Sequence, residues 1–527
     1  MEDLLSINQA CDFVRTFFSR NVTPSNISYL VQYGRVRKFG NNGSTQVVKI
    51  DLMDYYNSTN VRSREKYWKD KLGHDLNWAL SFEQFKEYET TKHVHRLHPY
   101  KGKFIPQLVE YFLDGHVDKF KKNIYFKQGD ILLDPFMGSG TTLVQSNELG
   151  IHSVGVDVSR FNCMIAETKL LDYDFNDVER QINKMKLLIN NYETDKNIMP
   201  FENTLLRELT IFNNDNFPSP EYKYKFATKE INEKNYSAEK EKELLKRYLD
   251  LAKKYEIELN TQSSDGFLNK WYIKNVKNEI GFVFNQIKKI NNIKTKKILA
   301  VILSRTIRSC RATTHSDLAT LKEPQTTTYY CWKHKKICKP IFSIKSWFNR
   351  YADDTLDRIK TYDELKKNSH CAIIPSDSRT VDIAEEISRR NKKLYQLFKK
   401  QKIKGIFSSP PYVGQIDYHE QHAYAYDLFG FKRQDQLEIG PLFKGKGTEA
   451  RNSYIEGISD VLNNCRKYLS SDYDVFLVAN DKYNMYPEIA RRSGMKIINQ
   501  FKRPVLNRTE RDKSPYSEII FHIKNIG

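Results

Sequence analysis

One stretch constrains the fold more than any other: residues 131–160, ILLDPFMGSGTTLVQSNELGIHSVGVDVSR. Ile131-Leu132-Leu133 is the continuous apolar run expected of a strand buried on both faces, and it stops at Asp134-Pro135-Phe136. Gly138-Ser139-Gly140 then turns the chain into a helix beginning near Thr141 and Thr142, because glycine adopts backbone conformations closed to other residues and lets a ligand approach the main chain. A second strand, Ser153 to Val156, ends in Asp157, an acid placed to accept two hydrogen bonds from a ribose diol. The loop lacks the third glycine of a dinucleotide fingerprint and the lysine of a phosphate-binding loop. A nucleoside without a pyrophosphate fits it better.

A second informative stretch lies far downstream, KIKGIFSSPPYVGQIDYHEQHAYAYDLFG over 402–430. Gly405-Ile406-Phe407 is a short strand, and Ser408-Ser409-Pro410-Pro411-Tyr412 follows where it leaves the sheet. Two successive prolines fix the backbone and remove two N–H donors, which makes a rigid loop rich in acceptors beside an aromatic ring. Such a loop suits an exocyclic amine on a nucleobase, whose lone pair is delocalised into the ring. The Ser409 hydroxyl and the Pro410 carbonyl would take its hydrogens while Tyr412 stacks on the base. Tyr418, His419 and His422 either line the same cleft or pack an amphipathic helix.

Together DPFMGSGTT and SSPPY resemble the S-adenosylmethionine-dependent DNA amino-methyltransferases, the second motif most closely the N4-cytosine group. HRLHPYKGKFIPQLVEYFL, from His95 to Leu113, is similar to the segment that covers the methionine end of the cofactor in that family. The resemblance implies a Rossmann-like α/β methyltransferase sheet and cofactor contacts from His98, Tyr100, Lys103, Phe104, Asp134, Pro135, Phe136, Gly138, Ser139, Gly140, Thr141, Thr142 and Asp157. Asp377, ending the strand Ala372-Ile373-Ile374-Pro375, takes the place of the family's adenine contact. Ser409, Pro410, Pro411 and Tyr412 take the catalytic places. The order of cofactor loop, recognition segment and catalytic loop resembles the α arrangement, whereas the SPPY form is more usual in the opposite order, so N6-adenine stays open beside N4-cytosine.

Residues 1–58 read as a separate module. Ser6 caps a helix carrying Ile7, Ala10, Cys11 and Val14, and Thr23-Pro24 opens a second through Ile27, Leu30 and Val31. A hairpin turning at 40–43 completes a unit that resembles the excisionase and MerR-type winged helix-turn-helix. This implies major-groove contact by Ser25, Asn26, Ser28 and Tyr29 and phosphate contact by Arg35, Arg37 and Lys38. A small protein-interaction domain is the alternative. Residues 59–92 are expected as a linker, 93–170 and 371–527 as the two halves of the catalytic domain, and 171–370 as a mainly helical inserted recognition region.

The 527 residues carry 85 Lys plus Arg against 65 Asp plus Glu, a net charge of +20, with 39% hydrophobic and 13% aromatic residues. That is enough apolar matter for globular cores and an excess that favours a polyanion. Double-stranded DNA is the expected partner, with a cognate restriction endonuclease possible. Within the insertion, 239–256 and 275–309 have helical periodicity, and Arg305, Arg308 and Arg311 are expected to track a DNA backbone, as is Arg508 on a closing hairpin with Arg511 and Lys513. Apolar runs such as Ile298 to Leu303 are too short to span a bilayer, no secretory start is evident, and seven cysteines suit reduced thiols in a cytoplasm. Cys331, His334 and Cys338, with Cys310 and His315 upstream, contain enough zinc ligands. The C-x2-H-x3-C spacing is not a standard knuckle pair and local lysines oppose a cation, so buried cysteines and no metal are expected.

An RNA methyltransferase on the same fold and a non-enzymatic DNA-binding regulator are the competing readings. The N-terminal module argues against the first. The presence of both loops argues against the second, and the absence of a cysteine from 408–412 argues against C5-cytosine chemistry.

Overall fold

The computed structural model describes residues 3–32, 34–40, 45–58, 61–100, 102–193, 195–259, 261, 266–315, 321–506 and 514–526. Arg508, Arg511 and Lys513, and the hairpin turn at 41–43, lie outside the described residues.

Seven strands form the central sheet: β1 (Ile131–Asp134), β2 (His152–Asp157), β3 (Cys371–Pro375), β4 (Ile403–Ser408), β5 (Leu469–Ala479), β6 (Met495–Pro504) and β7 (Ser517–Asn525). Their spatial order is β6-β7-β5-β4-β1-β2-β3. Pairing from β5 through β3 is parallel, and β7 runs antiparallel to both its neighbours. Two-residue alternation sorts the side chains into two layers. Ile131, Leu133, Val154, Ile406, Val475 and Leu477 enter one buried cluster, whereas Leu132, Phe407, Phe476 and Val478 enter another with Leu108 and Phe112 of the helix Pro106–Leu113. Each such side chain, fully buried, contributes about 1.5–3 kcal/mol.

The chain passes outward from β1 to β2 and β3, then returns to add β4 and β5 on the other side. The sheet therefore reverses its winding between β1 and β4, where the loops after neighbouring parallel strands part and leave a crevice. Leu133 pairs with Ile406 at that point.

Between β2 and β3 the insertion is helical: Phe175–Asn190, Ile198–Asn216, Glu221–Ala227, Glu233–Lys254, Phe267–Trp271, Lys274–Lys288, Ile293–Ser309 and Lys345–Asp363, with one hairpin of strands Tyr329–Cys331 and Lys336–Cys338. The periodic run 275–309 is two helices, because Asn292 Oδ1 accepts from the N–H groups of Lys294 and Thr295 and starts the second afresh. The insertion shares one apolar core with Val144, Phe161 and Ile165 beside the sheet and with Tyr424 to Tyr426 after the second loop.

The N-terminal residues form helices Ile7–Phe18, Pro24–Gln32 and Lys49–Ser58 and a three-stranded antiparallel sheet in which Gln46–Val48 lies between Leu4–Ser6 and Lys38–Phe39. Ser6 caps the first helix through a capping box with Gln9. This unit rests on the insertion, where Lys223 Nζ donates to the Gln32 carbonyl at 2.8 Å and the Tyr224 hydroxyl donates to the Val36 carbonyl.

Residues 61–92, within the stretch 59–92 expected as a linker, are a built strap. The helix Val61–Leu72 leads into Trp78–Ser81, which lies along the outer strand β6: Asn77 N donates to the Lys502 carbonyl at 2.7 Å and Arg503 Nε to the Leu80 carbonyl at 3.1 Å. Trp68 and Leu80 bury there, which is why the segment does not hang free. Among the described residues no helix is long and apolar enough to cross a membrane.

Candidate active site

A cleft with about 880 Å³ of empty space opens at the carboxyl ends of β1, β2 and β4. Of the residues expected to hold a cofactor, Tyr100, Lys103, Phe104, Asp134, Pro135, Phe136, Gly138, Ser139, Thr141, Asp157 and Asp377 line it, joined by Ser409 and Pro411.

The glycine loop is shaped by necessity. Gly138 has φ +49° and Gly140 φ +78°, both in the left-handed region. A Cβ on Gly138 would sit 3.0 Å from the Tyr100 hydroxyl and 3.1 Å from its ring, and one on Gly140 2.8 Å from Ala166 Cβ. Gly138 N donates to Asp157 Oδ2 at 3.0 Å, and Oδ1 of the same carboxylate accepts from Ser159 N at 2.8 Å and Asn162 Nδ2 at 3.1 Å. Burial nonetheless pushes the Asp157 pKa up. With one donor on Oδ2, that oxygen retains accepting capacity toward a hydroxyl in the cleft.

Asp134 ends β1 almost wholly buried, and burial pushes its pKa up to about 6 against the hydrogen bonds from Ser408, Thr142 and Phe136 N. Across the crevice, the Ser409 hydroxyl donates to the Val478 carbonyl at 3.1 Å. The Tyr412 hydroxyl is a second neighbour of this group, so the Ser409 proton is engaged within the protein while its oxygen keeps a lone pair to accept. Tyr412 donates to Glu518 Oε1 at 2.8 Å, and Arg503 Nη1 donates to Oε2 of the same carboxylate at 3.2 Å. Burial first and the Glu518 charge second hold the Tyr412 phenol well above its usual pKa, so it stays neutral. Pro410 and Tyr412 stand beside the cleft and outside its lining.

Residues 28–168 match the DNA methylase family. The chain is 46% identical over 529 residues to the type II methyltransferase M.MjaII of Methanocaldococcus jannaschii, covering 99% of this chain and 97% of that one. This chain belongs to the type II DNA methyltransferases. It is also 28% identical over 139 residues to M.MvaI of Kocuria varians (26% of this chain, 28% of that one) and 31% identical over 91 residues to M.BsoBI of Geobacillus stearothermophilus (17% and 16%), both type II methyltransferases. The match identifies a site-specific DNA methyltransferase of the N4/N6 amino class, a class whose methyl donor is S-adenosylmethionine.

Two expected residues of the methyltransferase, His98 and Thr142, serve the site from behind its lining, while Lys103 and Asp377 are held in place within it. His98 is fully buried, its Nδ1 3.0 Å from the Pro99 carbonyl and its Nε2 3.2 Å from the Tyr424 hydroxyl, and burial holds it neutral with its pKa well below the usual range. Thr142 bonds the Phe407 carbonyl at 3.4 Å. Lys103 donates to the His95 carbonyl at 2.5 Å, and burial together with Arg96 and Arg358 pulls its pKa down to about 8. Asp377 is held by Arg379, Nη2 to Oδ2 2.7 Å.

Other groups in the cleft carried little signal in the sequence. Ser378 donates to the Pro135 carbonyl at 2.6 Å, and Asn162 reaches both Asp157 and Tyr100. Tyr418 and His419 line the cleft and His422 does not. The ring of Tyr100 stacks between Tyr418 and His422 at centroid distances of 6.0 and 5.7 Å. Glu438 accepts from the backbone N–H of His419 at 2.7 Å and bonds its Nδ1, while His419 Nε2 has no partner among the described residues. Nothing in the local sequence ties Glu438 to His419, because the contact is made by a loop that folds back over the cleft.

The residues expected to contact nucleic acid divide. On the helix Pro24–Gln32, Ser25, Asn26 and Tyr29 are exposed, with Asn26 Oδ1 accepting from Thr23 N at 2.8 Å. Arg35 and Lys38 are half-buried. The Arg37 guanidinium is taken by Asp51, Nη2 to Oδ1 2.8 Å. Arg305 and Arg311 depart from expectation, being only 6% and 5% exposed. Arg305 pairs with Asp354 at 2.5 Å and lies 4.1 Å over the Tyr351 ring, and Arg311 lies 5.6 Å over Tyr424. Arg305 ties the insertion together from inside and Arg311 joins it to Tyr424 beyond the second loop, and only Arg308 of the three is half-exposed. With Asp377 paired to Arg379, the carboxyl groups of Asp134, Asp157 and Glu438 against Lys103 still make a wall that favours a cationic ligand over a phosphate.

Proposed function

We propose that the chain methylates the exocyclic N4 amine of a cytosine turned out of duplex DNA, as the modification partner of a separate restriction endonuclease. S-adenosylmethionine held in the cleft would supply a sulfonium methyl for in-line displacement, the C–S bond breaking as the N–C bond forms and the surplus amine proton passing to solvent. The observation that carries this reading is Ser409, beside the glycine loop, with its proton engaged within the protein and its oxygen keeping a lone pair to accept an amine hydrogen. A second acceptor in the Pro410 carbonyl would favour the pyramidal amine whose lone pair can attack. The acidic wall suits a sulfonium and an α-ammonium, and Asp157 Oδ2 suits a ribose hydroxyl. Turning the base out is required because a stacked amine cannot reach a cofactor held in a cleft.

The N-terminal unit reads as a winged helix-turn-helix, with Ser25, Asn26 and Tyr29 toward the major groove and Arg35 and Lys38 toward phosphates. Its place against the insertion supports one continuous DNA-facing assembly of 1–58 and 171–370. Expression in a host without DNA methylation, followed by single-molecule sequencing, tests the reading: modified cytosines in one sequence context are expected. Modified adenines would transfer the same machinery to N6, and an unmodified genome would overturn the reading.

A further inference from the structure

Away from the cleft, the insertion's hairpin brings Cys331, His334 and Cys338 together with the more distant His315. His315, Cys331, His334 and Cys338 each offer a ligand atom, and these atoms all lie within 4.8 Å of one another. His315 Nδ1 is 3.6 Å from Cys331 Sγ and His334 Nδ1 is 3.5 Å from Cys338 Sγ, with the two imidazole centroids 4.4 Å apart. Zinc binds sulfur at about 2.3 Å and imidazole nitrogen at about 2.0–2.1 Å, so a tetrahedral shell needs S···N edges of about 3.5–3.6 Å. Both edges already have that length.

The fold explains the convergence. Cys331 ends one strand, Lys335 takes the left-handed conformation at φ 58°, and the returning strand sets Cys338 opposite Tyr329. His334 N points at Cys331 Sγ from 3.4 Å, a contact that favours thiolate. His315 arrives from the end of the helix Ile293–Ser309, and Cys310, fully buried in the helical core, stays out of the group. One of the three local lysines is neutralised, Lys335 Nζ lying 2.6 Å from Glu233 Oε1, and two thiolates would balance the charge of a dication beside Lys333 and Lys336. The Tyr329 hydroxyl, 2.8 Å from His315 Nδ1, is the partner that a metal would displace.

We propose that His315, Cys331, His334 and Cys338 form a four-ligand site for a zinc-class divalent cation. Four protein ligands leave no open position, so its role is structural. It fastens the chain leaving the helix Ile293–Ser309 to a hairpin that rests on Asn213 through Ile337, N to Oδ1 2.9 Å, and on Glu233 through the Tyr330 hydroxyl at 2.8 Å.

The test is metal analysis of the full-length protein, expressed with zinc and purified without chelator. About one zinc per chain is expected, falling at least fivefold in Cys331→Ser and in Cys338→Ser. Because a serine variant that fails to fold would lose metal for another reason, wild-type protein exchanged with cobalt(II) provides an independent reading. It should show the visible bands of a tetrahedral site and a thiolate charge-transfer band. The denatured wild type with chelator should release all seven thiols. Two missing thiols, mapped by peptide analysis to Cys331 and Cys338, would mean a disulfide between them and overturn the proposal. So would less than one zinc per ten chains together with no cobalt spectrum.

Discussion

The Ser408 hydroxyl donates to Asp134 Oδ1 at 2.5 Å, joining the last residue of β4 to the last residue of β1 at the point where the sheet reverses its winding. Each residue begins one of the two loops that face each other across the cleft, so this bond fixes their separation. Asp134 titrates near 6 because it is buried, and Ser408 pulls it down from a still higher value. Between the ordinary carboxylate pKa and 6 the folded chain holds the proton more tightly than the unfolded chain, so ionisation of Asp134 costs stability as pH rises through that window. Ser408→Ala extends the window upward. A loss of about 1–3 kcal/mol is expected at pH 8 and a smaller one at pH 5. Thermal unfolding at the two pH values measures this, and equal losses would contradict it.

Gly138→Ala tests the cofactor loop. The new methyl must sit at φ +49° and 3.0 Å from the Tyr100 hydroxyl, which costs about 1–3 kcal/mol of strain in the loop. Calorimetry should find S-adenosylmethionine bound at least tenfold more weakly, with the unfolding temperature little changed. Unchanged affinity would remove this loop from the cofactor site.

Glu518 is a positioning residue. It joins the Tyr412 hydroxyl to Arg503, which is in turn tied to Leu80 of the strap. Glu518→Gln keeps the shape but weakens both charge-assisted bonds. Methyl transfer should slow about tenfold in kcat, with KM for S-adenosylmethionine within threefold of wild type. A purely structural role would move both or neither.

Lys38 and Arg305 separate surface charge from internal charge. Lys38→Ala should weaken DNA binding and lower the slope of log affinity against log salt by about 1. Arg305→Ala should leave that slope intact and lower stability by about 1–3 kcal/mol, because it removes a buried guanidinium from the Tyr351 ring and leaves Asp354 with Arg358 as its remaining cation. A reduced slope for Arg305→Ala would mean that it meets phosphate after all.

Both loops were legible because each is a local pattern: an apolar strand, an abrupt turn made possible by Gly138 and Gly140 or forced by Pro410-Pro411, and an acid after the next strand. Local pattern also told of helix-forming stretches in the insertion, although the Asn292 cap that divides 275–309 went unread. Charge without burial misled. Arg305 and Arg311 carry the spacing of a basic helical face, yet Asp354, Tyr351 and Tyr424 come from other elements and draw them inward. Glu438 on His419, Glu518 on Tyr412 and the strap on β6 were illegible for the same reason, since each pairing is made by the tertiary fold between segments with no shared periodicity.

The central claim is that methyl from S-adenosylmethionine reaches a cytosine amine at the Ser409 loop. Purified protein incubated with duplex DNA and cofactor labelled in the methyl group, followed by enzymatic digestion and chromatography of the nucleosides, tests it most directly. The account predicts label in N4-methyldeoxycytidine for wild type and none for Ser409→Ala, with cofactor affinity retained. Label in any other nucleoside, or undiminished label from Ser409→Ala, would contradict it.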